Sequence, residues 1–158
     1  MKAELLLMGK TKPAFFEEGM SEYVKRIRKY INLTITVLPD LKGTRNLGGS
    51  GIRVKEGSVI LRNLKPGDFV ILLDERGTGL TSAGFAEFLS GRLVHATNNL
   101  VFVAGGAYGF SEEVYRRKDF MLSLSPMTFS HQLVRLIFLE QLYRAFTIIH
   151  NEPYHLAH

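Results

Sequence analysis

Three glycines lie within one five-residue segment, Gly105-Gly106-Ala107-Tyr108-Gly109, directly after an apolar run. Because glycine lacks a β-carbon, a turn of this composition allows backbone N–H groups to approach a ligand closely. The segment lacks the Gly-Lys-Ser/Thr of a P-loop and the full spacing of the dinucleotide fingerprint, so it does not indicate triphosphate hydrolysis or nicotinamide binding. A tight strand-to-helix turn without a ligand is the alternative interpretation.

A second segment with the composition of a binding loop covers residues 124–129, which are Leu124, Ser125, Pro126, Met127, Thr128 and Phe129. Apolar side chains with a few polar atoms among them are typical of small-molecule pockets. The same segment also suits the start of a helix, since Thr128 or Ser130 is able to cap its first turn. His131 follows directly, and we interpret it as a hydrogen-bonded residue of that turn rather than a titrating group.

The tail of the chain, residues 151–158, places Tyr154 beside His155. An aromatic ring offers a face on which a nucleic-acid base stacks, and a neutral imidazole is able to take a proton near neutral pH. A chain end without fixed structure is the alternative.

The elements that must position these segments alternate along the chain. Apolar runs predict strands over residues 3–8, 33–38, 69–73, 100–104 and 121–124. Helical spacing or capping residues predict helices over residues 16–27 and 55–64, from residue 81 or 82, from residue 111, and over residues 131–150. The polar, glycine-rich residues 42–51 are predicted to be a loop. This pattern predicts an α/β fold with a parallel sheet covered by helices on both faces, and ligands of such sheets bind at the carboxyl ends of the strands.

The last predicted helix is apolar on more than one side, whereas a surface helix needs a single apolar stripe of about 100°. Its second side must therefore be covered. We predict that a second copy of the chain covers it, which makes the protein a homodimer. The alternative is a central helix that its own domain buries.

Composition limits the class of protein further. A chain of 158 residues that is 46% hydrophobic is expected to form one domain over residues 1–158. The opening apolar run is far shorter than the ~20 residues of a membrane span, and the chain has no cysteine, so we expect a cytoplasmic protein.

Residues 1–65 hold 13 Lys and Arg against 6 Asp and Glu, and residues 66–158 hold 7 against 9. This asymmetry favours a phosphate-rich partner such as RNA, although a solvated basic surface gives the same counts.

Four ordered blocks of the sequence closely resemble one family. They are residues 102–109 (FVAGGAYG), 122–135 (LSLSPMTFSHQLVR), 139–146 (LEQLYRAF) and 152–155 (EPYH). Together with Gly9-Lys10 and the first helix, they resemble the RlmH family of SPOUT-class methyltransferases over essentially the whole chain.

The resemblance implies a SPOUT-type α/β knot, in which the C-terminal part forms a trefoil knot and two subunits complete each other's active sites. It implies S-adenosyl-L-methionine as the methyl donor, no metal, and N3 of a pseudouridine of 23S ribosomal RNA as the acceptor, in the stem-loop facing the decoding centre of the assembled ribosome. The implied catalytic residues are His155 and Tyr154. The implied cofactor-binding residues are Leu73, Gly105, Leu124, Ser125, Pro126, Met127, Thr128 and Phe129.

Two further expectations concern RNA. The basic N-terminal part and Arg135 or Arg144 are expected to hold RNA phosphates. A non-catalytic RNA-binding assembly factor is the rival hypothesis, and tight binding of the donor separates the two.

The chain departs from the family at three places. Ser130 replaces the usual proline, residues 156–158 extend the usual ending, and residues 46–51 are rich in glycine where the family commonly has a charged helix. RNA contacts of that last segment are therefore not carried over.

Overall fold

The computed structural model describes residues 2–95 and 98–156. Five strands alternate with five helices, and a short 3-10 helix follows. Their bounds are β1 Lys2–Met8, α1 Ala14–Ile27, β2 Asn32–Leu38, α2 Gly49–Arg62, β3 Phe69–Gly79, α3 Ser82–His95, β4 Leu100–Ala104, α4 Glu112–Arg117, β5 Phe120–Ser123, α5 Leu133–Ile149 and the 3-10 helix Pro153–Leu156.

The five strands form one parallel sheet in the order β2-β1-β4-β3-β5. Side chains of a strand point alternately to opposite faces, and each face is covered. One face packs on α1, α3 and α5, with Leu5, Ile71 and Phe102 in the shared core. The other packs on α2 and α4, with Leu6, Leu72 and Val103 in its core. The predicted α/β fold, with a parallel sheet and helices on both faces, is confirmed. The knot stays a prediction.

The start of α2 was predicted wrongly. The structure has a helix from Gly49, where a loop to residue 51 and a helix from residue 55 were expected. The amide of Ile52 donates to the carbonyl of Gly48 at 3.1 Å, which begins the helix. Tertiary packing overrides the low helix propensity of glycine here, since Gly49 lies directly against the ring of Tyr108.

Strand β3 continues beyond the predicted end at residue 73. Leu73 and Thr78 both pair with Leu122 of β5, so residues 74–77 are excluded from the ladder as a bulge. A β-carbon on Gly77 would lie 2.5 Å from the carbonyl oxygen of Met121, and only glycine fits so close to that backbone. The bulge carries three charged side chains beyond the edge of the sheet.

Helix α5 is buried mainly by its own chain. It packs on the sheet and lies against both α1 and α3. The fold therefore supports the alternative interpretation, in which the domain itself buries the apolar sides of this helix. The helix alone does not require a second subunit. No helix among the described residues has the length and apolar character that crossing a membrane requires.

Candidate functional site

A cavity of about 580 Å³ opens at the carboxyl ends of β3, β4 and β5. Its size falls in the range of about 300–1,000 Å³ that is usual for small-molecule sites. Three segments supply most of its walls: the β3 bulge, the glycine turn after β4, and the loop between β5 and α5. The lining residues are Leu73, Asp74, Glu75, Arg76, Ala104, Gly105, Gly106, Ala107, Tyr108, Gly109, Phe110, Tyr115, Leu122, Leu124, Ser125, Met127, Thr128, Phe129, Ser130, His131 and Val134.

Seven of the eight predicted cofactor-binding residues line this cavity: Leu73, Gly105, Leu124, Ser125, Met127, Thr128 and Phe129. The eighth, Pro126, is exposed and does not line it. The reason is a local turn, in which the hydroxyl of Ser125 accepts a hydrogen bond from the amide of Met127 at 2.9 Å. Pro126 lies between the two ends of this serine turn and is exposed there. Pro126 thus shapes the loop without forming part of the cavity wall.

The β3 bulge gives the cavity an acidic side. The hydroxyl of Tyr115 donates to the carboxylate of Asp74, which also accepts from the amide of Arg76 at 2.9 Å. Burial would raise the pKa of Asp74, but these hydrogen bonds and the Arg76 guanidinium outweigh it and lower the pKa. Asp74 is therefore ionised at neutral pH. Glu75 accepts a hydrogen bond from the hydroxyl of Thr128 at 2.6 Å, which joins the bulge to the loop before α5.

The glycine turn lies between the cavity and two packed side chains. A β-carbon on Gly105 would lie 3.0 Å from the ring of Phe110, a buried residue. A β-carbon on Gly106 would lie 2.7 Å from the carboxylate of Glu56 on α2. A side chain at position 105 would therefore disturb Phe110, which lines the same cavity.

The end of the loop before α5 agrees with the interpretation that Thr128 or Ser130 caps the first turn of the helix. The hydroxyl of Ser130 accepts a hydrogen bond from the amide of Leu133 at 3.1 Å and its carbonyl accepts from the amide of Val134 at 3.1 Å, so this serine caps the turn that leads into the helix. His131 lines the cavity. Burial lowers its pKa and the positive charge of Arg135 lowers it further. The imidazole is therefore neutral at pH 7.

Arg135 was predicted wrongly as an RNA contact. Its side chain is fully buried and donates to the carbonyls of Met8 at 2.7 Å and Gly9 at 2.9 Å, and to the hydroxyl of Thr11 at 2.9 Å. A guanidinium in that position fastens the first turns of α5 to the end of β1 and does not reach a phosphate. Arg144, the other predicted contact, is half-buried and pairs with Glu140 one helical turn earlier.

The two predicted catalytic residues lie elsewhere in the chain. Tyr154 and His155 belong to the 3-10 helix and do not line the cavity. The Tyr154 ring packs edge-on against Tyr143 with centroids 4.7 Å apart, and its hydroxyl donates to Glu140 at 3.1 Å. Burial raises the pKa of Tyr154, and a hydrogen bond with Tyr23 and the charge of Glu140 raise it further. The phenol is therefore protonated at neutral pH.

Sequence reasoning missed several cavity residues. Asp74, Glu75 and Arg76 follow an apolar strand, and their place at the carboxyl end of that strand was a usable signal. Tyr115 gave no such signal, since it reaches the site only through the packing of α4 on the sheet. Within residues 2–95 and 98–156, no three His, Asp or Glu side chains are grouped so as to hold a metal ion.

The site can now be compared with known proteins. The family model described as "Predicted SPOUT methyltransferase" matches residues 1–155. Proteins named "Ribosomal RNA large subunit methyltransferase H" from Parabacteroides distasonis and Christiangramia forsetii are 48% and 49% identical to this chain over 155 residues, covering 98% of it and 99% of each relative.

A solved structure, that of a probable methylase family protein from Haemophilus influenzae, superposes with a TM-score of 0.53 at 12% identity. The match covers 96% of this chain and 69% of that one, and it shows likeness of fold alone. The family model and the two curated relatives extend over nearly the whole sequence, cavity segments included. The chain belongs to the SPOUT methyltransferase family.

Proposed function

We propose that this protein is a methyltransferase that uses S-adenosyl-L-methionine to methylate N3 of a pseudouridine in 23S ribosomal RNA, on the assembled ribosome and in the cytoplasm. The names of the relatives support the RNA substrate. The observation that carries the proposal is the cavity itself, because it gathers the β3 bulge, the glycine turn and the loop before α5 into one wall at the carboxyl ends of the strands.

The cavity residues fit the proposed donor. Leu73, Leu124 and Phe129 offer apolar surface, and the glycine turn and Ser125 offer backbone and hydroxyl groups for the adenosyl part. The ionised Asp74 and the nearby Glu75 suit a ligand that carries positive charge on a sulfonium and an amino group. When bound, S-adenosyl-L-methionine supplies a methyl group that its sulfonium has already activated. The protein residues then have to align the acceptor and remove its proton.

Removal of the proton from the acceptor nitrogen is assigned to the tail, residues 151–158. Tyr154 keeps its own proton at neutral pH and therefore does not act as the base, so its assigned role is to stack its ring on the acceptor base. His155 is then the general base, since a neutral imidazole accepts a proton. Its Nδ1 is buried and has no hydrogen-bond partner among the described residues.

Because the tail does not line the cavity of its own chain, we propose that a second subunit brings its tail to that cavity. The proposal thus includes a homodimer, which rests on this geometry and on the family resemblance rather than on the apolar surface of α5. The basic N-terminal part, with 13 Lys and Arg against 6 Asp and Glu in residues 1–65, would meet the RNA backbone.

The test uses purified protein, labelled S-adenosyl-L-methionine and bacterial ribosomes, followed by mapping of the modified nucleotide. Removing residues 154–158 should sharply reduce methyl transfer and leave donor binding, measured by calorimetry, nearly unchanged. His155→Ala should reproduce most of that loss, and Tyr154→Phe should be tolerated if the ring acts by stacking. Methylation of another nucleotide, or a truncated enzyme with the full rate, would contradict the assignment. A protein that binds ribosomes but not the donor would favour the rival RNA-binding factor.

A further inference from the structure

A second, smaller cavity of about 250 Å³ adjoins the first one. Gly106, Ala107, Tyr108 and His131 line both cavities and so form a shared wall. The other sides are the end of β1, the segment after β2 and the α2 residues Ile52 and Glu56. Its volume lies below the range of about 300–1,000 Å³ that whole small-molecule ligands occupy. It suits a fragment the size of one planar base.

Glu56 lines this cavity and has a carboxylate oxygen that accepts no hydrogen bond from the described residues. Its Oε1 is buried and lacks a hydrogen-bond partner within the part of the chain that the structure describes. Both carboxylate oxygens lie against Gly106, where a β-carbon would be 2.7 Å from Oε2 and 2.9 Å from Oε1. Buried carboxylate oxygens are normally hydrogen-bonded, and each exception calls for an explanation. Rotation of this carboxylate toward the cavity that the residue lines would let a ligand N–H supply the partner.

The position of Glu56 is fixed by the packing of α2. A β-carbon on the next residue, Gly57, would lie 2.4 Å from the hydroxyl of Ser111, so α2 runs directly against the start of α4. One turn earlier, Arg53 donates to the carbonyl of Tyr108 at 3.4 Å, which links α2 to the shared wall. The carboxylate is therefore held at the wall and does not belong to a free surface side chain.

Of the neighbouring polar groups, Gln132 already uses both ends of its side-chain amide. Gln132 uses its amide oxygen to accept from the amide of Lys12 at 2.9 Å and its amide nitrogen to donate to the carbonyl of Lys10 at 3.0 Å. The charged or titratable groups that line the cavity with Glu56 are Lys10, Asp40, Tyr108 and His131. Burial raises the pKa of Glu56, and the charge of Asp40 adds to the effect.

We propose that the smaller cavity receives the acceptor base and that Glu56 accepts a hydrogen bond from its N1–H, which makes Glu56 the residue that selects pseudouridine over uridine. This rests on the function proposed above. Pseudouridine is joined to ribose through carbon 5, so its N1 carries a hydrogen, whereas the corresponding edge of uridine presents a C–H group. A site built to accept an N–H strongly disfavours an analogue that lacks it, since its own polar group is then left unpaired.

The arrangement also orients the reacting atom. N1–H and N3–H lie on either side of the same carbonyl of the pseudouridine ring. A base held through N1 at Glu56 leaves its N3 unbound, and the proposal places that N3 toward the larger cavity because Glu56 lies beside the wall that both cavities share. Glu56 acts in recognition, and removal of the N3 proton remains with the tail.

The experiment compares two ribosome preparations, one with pseudouridine and one with uridine at the target position. The wild-type protein should methylate the first much faster. Glu56→Ala should lower kcat/KM on pseudouridine about 10- to 100-fold, the equivalent of one charge-assisted hydrogen bond, and should raise the slow rate on uridine, because no unpaired carboxylate then opposes that base. Asp40→Asn, a change to the other carboxylate of the same cavity, should keep the preference for pseudouridine.

Donor affinity and the melting temperature of Glu56→Ala establish that the larger cavity and the fold are intact. Should that variant not fold, Glu56→Gln serves instead, because its amide oxygen still accepts and only the charge is lost; its preference should fall by less. The role of Glu56 is overturned if kcat/KM falls equally on both ribosome preparations, or if a folded variant keeps its full preference for pseudouridine. In either case the proposed function stands. A wild-type protein that methylates both preparations equally also overturns it. Absence of methylation on both preparations overturns the proposed function as well.

Discussion

Replacement of Arg135 by methionine is a direct test of how α5 is fastened to β1. The guanidinium is fully buried and donates to the carbonyls of Met8 and Gly9 and to the hydroxyl of Thr11. Methionine has a similar length but no donor, so two backbone carbonyls lose their partner. A buried acceptor left unpaired costs about 1–3 kcal/mol, whereas the variant no longer has to bury a charge. We expect the free energy of unfolding to fall by about 3 kcal/mol.

Urea denaturation followed by circular dichroism measures this difference. Arg116→Met is the matched control, because Arg116 pairs with Glu112 on the surface, where the two side chains are 74% and 89% exposed. Exposed pairs of this kind contribute about 0–1 kcal/mol. A loss for Arg135→Met no larger than that of the control would refute the view that this arginine holds the start of α5. A weaker salt dependence of RNA binding in the folded variant would instead restore Arg135 as a phosphate contact.

Three other predictions concern the donor site and the assembly. Gly105→Val should weaken donor binding in calorimetry and, because its β-carbon meets the ring of Phe110 at 3.0 Å, should also lower stability by about 1–3 kcal/mol; an undisturbed, fully binding variant would contradict both effects. Tyr115→Phe should destabilise the protein by about 1–2 kcal/mol at pH 7. Since the pKa of Asp74 is lowered in the fold, this stabilisation is present above the unfolded pKa of about 3.9 and is lost as the pH falls through the folded value, so the difference between variant and wild type should shrink in acid unfolding. Sedimentation at micromolar concentration should show a homodimer, and a stable monomer would remove the basis for a tail supplied in trans.

Regular parts of this fold were predictable because their signals are local. The strand from Leu100 to Ala104 is buried at every position and has the bounds that were predicted. Thr81 and Ser111 cap their helices as expected, accepting from the amides of Gly84 at 2.9 Å and Val114 at 3.3 Å. The start of α2 was missed because glycine-rich residues form a helix there only through contacts with the rest of the chain.

The candidate site was also predictable where its signals are local, and was not predictable where they depend on the folded chain. Residues 124–129 were recognised as a loop at a strand end, but the outward position of Pro126 depends on a turn that Ser125 makes with Met127. Arg135 was misassigned because an arginine in a helix suggests a surface charge, and its burial depends on the carbonyls of β1, more than 120 residues earlier. Glu56 gave no sequence signal, since only the fold brings it against Gly106.

The bulge of β3 has a consequence for the energy of ligand binding. Hydrogen-bonded pairing with β5 resumes at Thr78 after residues 74–77, so both ends of this segment are anchored in the sheet. Its middle is pressed against β5 at Gly77. A segment restrained at both ends has already lost most of its conformational entropy when the chain folds. Ordering Asp74 and Glu75 is therefore a cost of folding rather than of binding, and a cationic ligand should associate with little further loss of backbone entropy.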